Sequence, residues 1–257
     1  MPTWDPDVYQ RYKSYRDRPA LDLMLRIPRD LAPREIWDLG CGTGEHAALL
    51  AARHPDARVH GLDSSAEMLE RAKGQSGRVD WVLGDIASFR PEVAPDLIFT
   101  NAALQWVGDH ATLFPRLMAT LAPGGVLACQ IPVVLDEGWR RSLRETAGEG
   151  PWVERLAKVD RVRTRTDPRD YHDWLSPLSE DLDVWMTTYV HALGGEDPIV
   201  DWTSGTSLRP YLEALTDPEE KAAFLAAWRS RLAADYPRRD DGVTLFPFPR
   251  LFIVARR

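Results

Sequence analysis

The stretch Trp37-Asp38-Leu39-Gly40-Cys41-Gly42-Thr43-Gly44-Glu45 sets glycines at alternate positions directly after a short apolar run. A chain that leaves a strand, turns on glycines and enters a helix reads as the first βα unit of a ligand-binding α/β fold. Two familiar phosphate signatures are missing. A dinucleotide fingerprint reads G-x-G-x-x-G and a phosphate loop G-x-x-x-x-G-K-[ST], whereas Gly40, Gly42 and Gly44 give G-x-G-x-G with no Lys-Ser or Lys-Thr behind them. The glycines are expected to let a ligand lie against bare backbone amides. Asp38, just before the loop, can hold loop amides or meet a ligand cation. That suits an amino-acid end with a positive centre better than a pyrophosphate.

Working outward, the runs Glu35 to Leu39, Arg58 to Asp63, Val79 to Gly84, Asp96 to Asn101 and Val126 to Ile131 alternate with helical segments. This is the pattern of a parallel sheet built from βαβ units. Ligands of such sheets lie outside the carboxyl ends of the strands, so Gly40, Asp63, Asp85 and Asn101 should face one crevice. Asp63 is placed to accept both hydroxyls of a ribose; its other reading is as a cap of the next helix, for which Ser64 and Glu67 form a capping-box pattern. Met68 reads as an adenine contact or as a core methionine. Asp85, in GDIASF, is placed to accept from an adenine amino group. Together these positions describe a pocket for an adenosine with an amino-acid tail, which is S-adenosylmethionine.

Residues 1–257 read as one domain with three additions to the sheet. Residues 1–30 form an N-terminal helical cover, in which Pro19 opens a helix striped by Ala20, Leu23, Met24 and Ile27. Residues 132–182 and 191–249 read as helical insertions forming a lid for acceptor binding. Between and after them, LDVWMTTYV (182–190) alternates like a strand and RLFIVA (250–255) reads as a final buried one. In the second insertion Asp217, Pro218, Glu219 and Glu220 start a helix whose Leu225, Trp228, Leu232 and Tyr236 should share a core face.

The 32 Lys and Arg against 39 Asp and Glu give a net charge of -7, which argues against a surface built for nucleic acid. The two cysteines, Cys41 and Cys129, stand in no Cys-x-x-Cys pattern, and no His or Cys pair has metal-ligand spacing. No apolar run approaches the roughly 20 residues of a membrane span, and the opening MPTWDPDVYQRYKSYRDRPALD lacks the marks of a secretory signal. The expectation is a soluble, cytoplasmic protein with no metal, membrane or nucleic-acid partner.

In order along the chain, DLGCGTG, the acid of HGLD, GDIASF, PDLIFTNAALQWV and LAPGGVLACQIP resemble the class I S-adenosylmethionine-dependent methyltransferases. The resemblance implies a Rossmann-like, mostly parallel seven-stranded sheet whose last strand is antiparallel. It carries ligand roles onto Asp38, Gly40, Gly42, Asp63, Ser64, Asp85, Ile86 and Asn101. The outer segments YQRYKSYRDRPALDL, NAALQWVGDH, RETAGEGPW, LSPLSEDLDVWMTTYVH, IVDWTSGTSLRPYL and FPRLFIVA are similar to one family of that class, the trans-aconitate 2-methyltransferases. Glu45-His46-Ala47 departs from the small polar residues that often follow the loop.

That similarity implies a small polycarboxylate acceptor and carboxyl O-methylation without a catalytic side chain, because a carboxylate is already ionised at neutral pH. Guanidinium groups would hold such an acceptor. The candidates are Arg16, Arg18, Arg161, Arg163, Arg165, Arg169 and Arg209, of which Arg209, with Tyr211 beside it, is favoured. Tyr9, Tyr12, Gln105, Trp106 and Trp202 line the acceptor cavity or pack the core, and His110 and His172 are polar candidates or structural residues. Two alternatives stand beside this reading: methylation of a malonyl thioester on a carrier protein, and a protein that binds S-adenosylmethionine without turnover.

Overall fold

Five short strands precede two long ones: β1 (Glu35–Leu39), β2 (Arg58–Asp63), β3 (Val79–Leu83), β4 (Leu97–Asn101), β5 (Val126–Pro132), β6 (Asp181–Gly194) and β7 (Val243–Arg256). They form one sheet in the order β3-β2-β1-β4-β5-β7-β6. β1 to β5 pair in parallel, while β7 runs antiparallel to β5, with Val126 opposite Arg256 and Pro132 opposite Arg250. The chain moves outward from β1 to β3 and then returns to β4 on the other side of β1. The crevice outside the carboxyl ends of β1 and β4 is therefore the switch point where such sheets bind ligands.

This computed structural model describes residues 13–133, 138–157, 159 and 167–257. Tyr9, Tyr12, Arg161, Arg163, Arg165 and the side chain of Arg16 lie outside the described residues. The chain divides into two compact units. One comprises residues 17–133, 166–187 and 249–257, the other residues 1–16, 134–165 and 188–248. The second is assembled largely from the segments that interrupt the strand alternation. Of the first insertion expected over 132–182, residues 167–182 group with the sheet unit.

In the sheet unit β4 and β5 are buried on both faces, as their continuous apolar runs demand. The helices α1 (Lys13–Met24), α2 (Glu45–Arg53), α3 (Ala66–Ala72), α4 (His110–Thr120) and, later, α7 (Pro168–Leu175) accompany the strands. The stripe Ala20, Leu23, Met24 and Ile27 is buried as its spacing requires. Pro19 does not open that helix but lies inside α1. Lacking an N–H, it removes only one intrahelical bond, which the buried stripe on its C-terminal side outweighs. Arg53 donates to the Met24 carbonyl at 2.6 Å and so ties α2 to the end of α1.

The other unit gathers α5 (Gly138–Ala147), α6 (Val153–Leu156), α8 (Pro198–Ser204), α9 (Arg209–Ala214) and α10 (Pro218–Asp235). Asp217 caps α10 by accepting from the Glu219 N–H, and Pro218 takes the first helical position. Its buried face is Glu220, Phe224, Trp228 and Leu232, at steps of four. Trp228 and Leu232 stand where expected, while Phe224 takes the fully buried place expected of Leu225, and Leu225 and Tyr236 are only partly buried against the same core. The Trp228 indole N–H donates to Ser142 Oγ at 3.1 Å and Arg155 pairs with the nearly buried Glu220, so both of these polar groups of the α10 face are matched. Among the described residues no helix is long and apolar enough to cross a membrane, and no cluster of His, Cys, Asp and Glu could hold a metal.

Phe224→Ala is expected to cost about 3–5 kcal/mol of stability by emptying a fully buried ring site, and Leu225→Ala less than half as much. Denaturant titration of the two variants checks this ordering.

Candidate functional site

The loop between β1 and α2 is held by its own backbone. The N–H groups of Gly40 and Cys41 donate to the Leu62 carbonyl at 2.7 and 3.0 Å, and that of Gly44 donates to the Cys41 carbonyl at 2.9 Å. The Gly42 N–H donates to Asp63 Oδ2 at 2.9 Å. The cradle is therefore not a row of bare amides, as the glycines alone suggested. Leu62 and Asp63 of the neighbouring strand take the N–H groups of Gly40, Cys41 and Gly42.

Each glycine has a separate reason. Gly40, Gly42 and Gly44 have φ of +75°, +55° and +85°, where side chains are strained. A Cβ on Gly40 would lie 2.2 Å from that of Ala103, and one on Gly44 would lie 2.5 Å from the Trp81 ring. Over Gly42 nothing lies within 4 Å of that position. Gly40 and Gly44 serve close packing, and Gly42 leaves a smooth open surface for a ligand.

Two acids flank this surface. Asp38 is 1% exposed and its Oδ2 has no hydrogen-bond partner. Burial, reinforced by the charge of Asp63, pushes its pKa up from 3.8 to about 8, against a backbone hydrogen bond from Ala47 that lowers it. A buried carboxylate with an orphaned oxygen is a site for a cation, and the ammonium of an amino acid fits it. This is the fit of the residues to S-adenosylmethionine.

Asp63 ties the loop after β1 to the entry of α3 without itself capping that helix. Its Oδ2 receives Gly42 and its Oδ1 receives the Ser65 N–H at 2.9 Å. Each oxygen keeps a further lone pair with which to accept a ribose hydroxyl. The helix cap is Ser65 rather than Ser64: its Oγ accepts from the Met68 N–H at 3.3 Å. The chain reaches helical geometry one residue later because Asp63 first holds the Ser65 N–H. Ser64 is exposed and Met68 half-buried.

At the end of β3, Asp85 accepts from the Ala87 N–H at 2.8 Å and starts a short 3-10 turn that buries Ile86. Arg116 ties that turn down through the Ile86 and Phe89 carbonyls, both at 2.9 Å. Beyond β4, Asn101 Oδ1 is buried without a partner, and Ala102 has φ of 53°, a strained value for a residue with a side chain. Gln105 donates to the Ala102 carbonyl at 2.6 Å, and its Oε1 is also orphaned. Trp106 is 58% exposed. His110 is structural: its ring nitrogens meet the Tyr171 hydroxyl at 2.6 Å and the Leu104 carbonyl at 2.9 Å, which fixes the turn carrying Gln105 and Trp106.

The remaining acceptor candidates have visible packing or pairing. Trp202 and Tyr211 are buried in the aromatic core of the helical unit. Arg209 is half-exposed and paired with Glu213 one turn away at 2.8 Å. Arg169 pairs with Asp167 on the surface, while Arg18 and His172 are exposed. His46, part of the departure after the loop, lies 3.8 Å from Asp17 of α1 and packs its ring toward Phe99.

Asp38 also makes the site sensitive to pH. An ordinary carboxyl ionises near 3.8, but here the folded value is raised, so between about pH 4 and 8 the folded chain holds a proton that the unfolded chain has lost. Stability of the ligand-free protein falls as pH rises through that window, and Asp38→Asn is expected to gain stability relative to the parent between pH 5 and 8, read by thermal melts. Binding of S-adenosylmethionine at pH 7 is expected to release about one proton from Asp38, measured by calorimetry in buffers of different ionisation enthalpy. The Asn variant should release none.

Comparison with known proteins agrees with this geometry. Residues 36–125 match the model of a methyltransferase domain family. Over the whole chain the protein is 47% identical to the trans-aconitate 2-methyltransferase of Methylobacterium radiotolerans and 48% identical to that of an Azoarcus species, covering 99% and 100% of those proteins. The solved structure of YcgJ from Bacillus subtilis shares the fold at 16% identity, with a TM-score of 0.59 over 93% of this chain and 98% of that one. With 47–48% identity over the full length of these relatives and a methyltransferase domain over residues 36–125, the chain belongs to the trans-aconitate 2-methyltransferase family of S-adenosylmethionine-dependent methyltransferases.

Proposed function

We propose that the protein transfers a methyl group to one carboxylate of trans-aconitate, giving the monomethyl ester and S-adenosylhomocysteine. The observation that carries this reading is the full-length identity of 47–48% with relatives named for that reaction.

When bound, S-adenosylmethionine supplies an electrophilic methyl group on a sulfonium. The side chains have a limited task. Asp38 meets the ammonium of the amino-acid end, and Asp63, already clamped to Gly42 and Ser65, accepts from the ribose. Asp85, Ile86 and Met68 fall to the adenine side, and Asn101 faces the reacting centre from β4. No side chain need remove a proton, because the attacking carboxylate has lost its own well below neutral pH. Catalysis on this reading comes from alignment and from excluding water. Gln105 and Trp106, on the turn fixed by His110, are the acceptor-side groups nearest the end of β4 in the chain.

Incubation with methyl-labelled S-adenosylmethionine and trans-aconitate is expected to give one labelled ester per S-adenosylhomocysteine released. Label on a different acid or on a malonyl thioester, with trans-aconitate unmodified, contradicts the reading. Asp63→Ala is expected to weaken cofactor binding by about 1–3 kcal/mol in calorimetry, because it loses the ribose contact and frees the Gly42 N–H together.

A further inference from the structure

One polar residue at the carboxyl end of the sheet has no role in the cofactor site described above. Gln130 stands on β5 in the otherwise apolar run Val126–Pro132, and it is 0% exposed. Neither its Nε2 nor its Oε1 has a hydrogen-bond partner. Burying an amide with both ends unmatched is costly, and native folds rarely leave one unless a ligand or water completes it.

The strand register says which way this side chain faces. Asp38 is directly opposite Phe99, and Asn101, two residues further along β4, is directly opposite Gln130. Residues opposite one another or two apart on a strand share a face, so Asp38, Asn101 and Gln130 lie on one side of the sheet. Across the other edge of β5, Gln130 is opposite Phe252 and Pro132 is opposite Arg250, which puts the buried guanidinium of Arg250 on the same face.

The crevice is thereby partitioned. Asp38 and Asp63, at the ends of β1 and β2, take the two ends of the donor that flank its sulfur. The half left for an acceptor lies over β4, β5 and β7. There the polar groups are a neutral amide on β5, two orphaned side-chain oxygens on and after β4, and one buried cation on β7.

We propose that Gln130 is a specificity-determining residue whose Nε2 donates to a carboxylate of the acceptor, with Arg250 supplying positive charge for a second carboxylate of the same molecule. A neutral donor suits the carboxylate that is to react. It fixes one oxygen while leaving the nucleophilic lone pairs less neutralised than an ion pair would. The inference rests on the carboxylate-methylating reading above.

The test is Gln130→Met, which keeps an unbranched chain of the same length and removes both polar atoms. Three quantities are read: KM for trans-aconitate, the dissociation constant for S-adenosylhomocysteine, and Tm without ligand. The expected result is a KM raised about tenfold or more, cofactor affinity within twofold, and a Tm raised by roughly 2–4 °C because an unmatched amide has left the core. A purely structural glutamine predicts the opposite sign for Tm. A KM within twofold of the parent overturns the assignment, as does a lowered Tm or a parallel loss of cofactor affinity. If the parent protein esterifies no di- or tricarboxylate, the reading beneath fails and takes this inference with it; an active parent with an unaffected variant sinks the inference alone.

Discussion

A carboxylate buried at the end of the central strand, with one oxygen left over, constrains the rest of this site. Asp38 is pressed beneath α2 and held by the Ala47 amide, while the neighbouring acid Asp63 adds repulsion. Its ionised form is disfavoured until a cation pairs with it, which suits the positive end of a ligand better than a phosphate. The strand order makes this productive. β1 is the strand at which the chain reverses direction across the sheet, so Asp38 lies next to the switch point although α2 covers it.

Asp63 converts that chemistry into a fixed shape. One carboxylate holds both the loop after β1, through Gly42, and the entry to α3, through Ser65. The loop is tied on its other side to the Leu62 carbonyl. Gly40 and Gly44 then fit only because they lack side chains, against Ala103 and Trp81. The surface that remains over Gly42 is open and flanked by these two acids.

Much of this could be read from the sequence, and the limits have physical causes. The strands β1 to β5 and the acids ending β1, β2 and β3 follow from apolar runs stopped by polar turns. Asp38 could be named but not its isolation, which depends on α2 closing over it. The two long strands extend beyond the runs 182–190 and 250–255 that alternation and burial marked, and β7 passes through Pro247 and Pro249. In the α10 stripe Trp228 and Leu232 were legible, whereas Phe224 and Leu225 are both apolar and only packing decides which is fully buried. Acceptor residues were the least legible. Arg209 lies between suggestive neighbours yet pairs with Glu213 in its own helix, whereas Gln130 is a single polar letter in a buried strand whose facing depends on register. That lone glutamine in LACQIP was a usable signal, and its meaning appears only once Asn101 stands opposite it.

Asp38 and Gln130 share one face of the sheet, so a cation at the first and a carboxylate at the second would be recognised side by side. The most direct measurement is a crystal structure of the protein with S-adenosylhomocysteine and trans-aconitate bound together. The account predicts the ammonium of the first within hydrogen-bonding reach of Asp38 Oδ2, and a carboxylate of the second against the Gln130 amide on the β4–β5 half of the crevice. An ammonium bound elsewhere with Asp38 Oδ2 still unpartnered would contradict it.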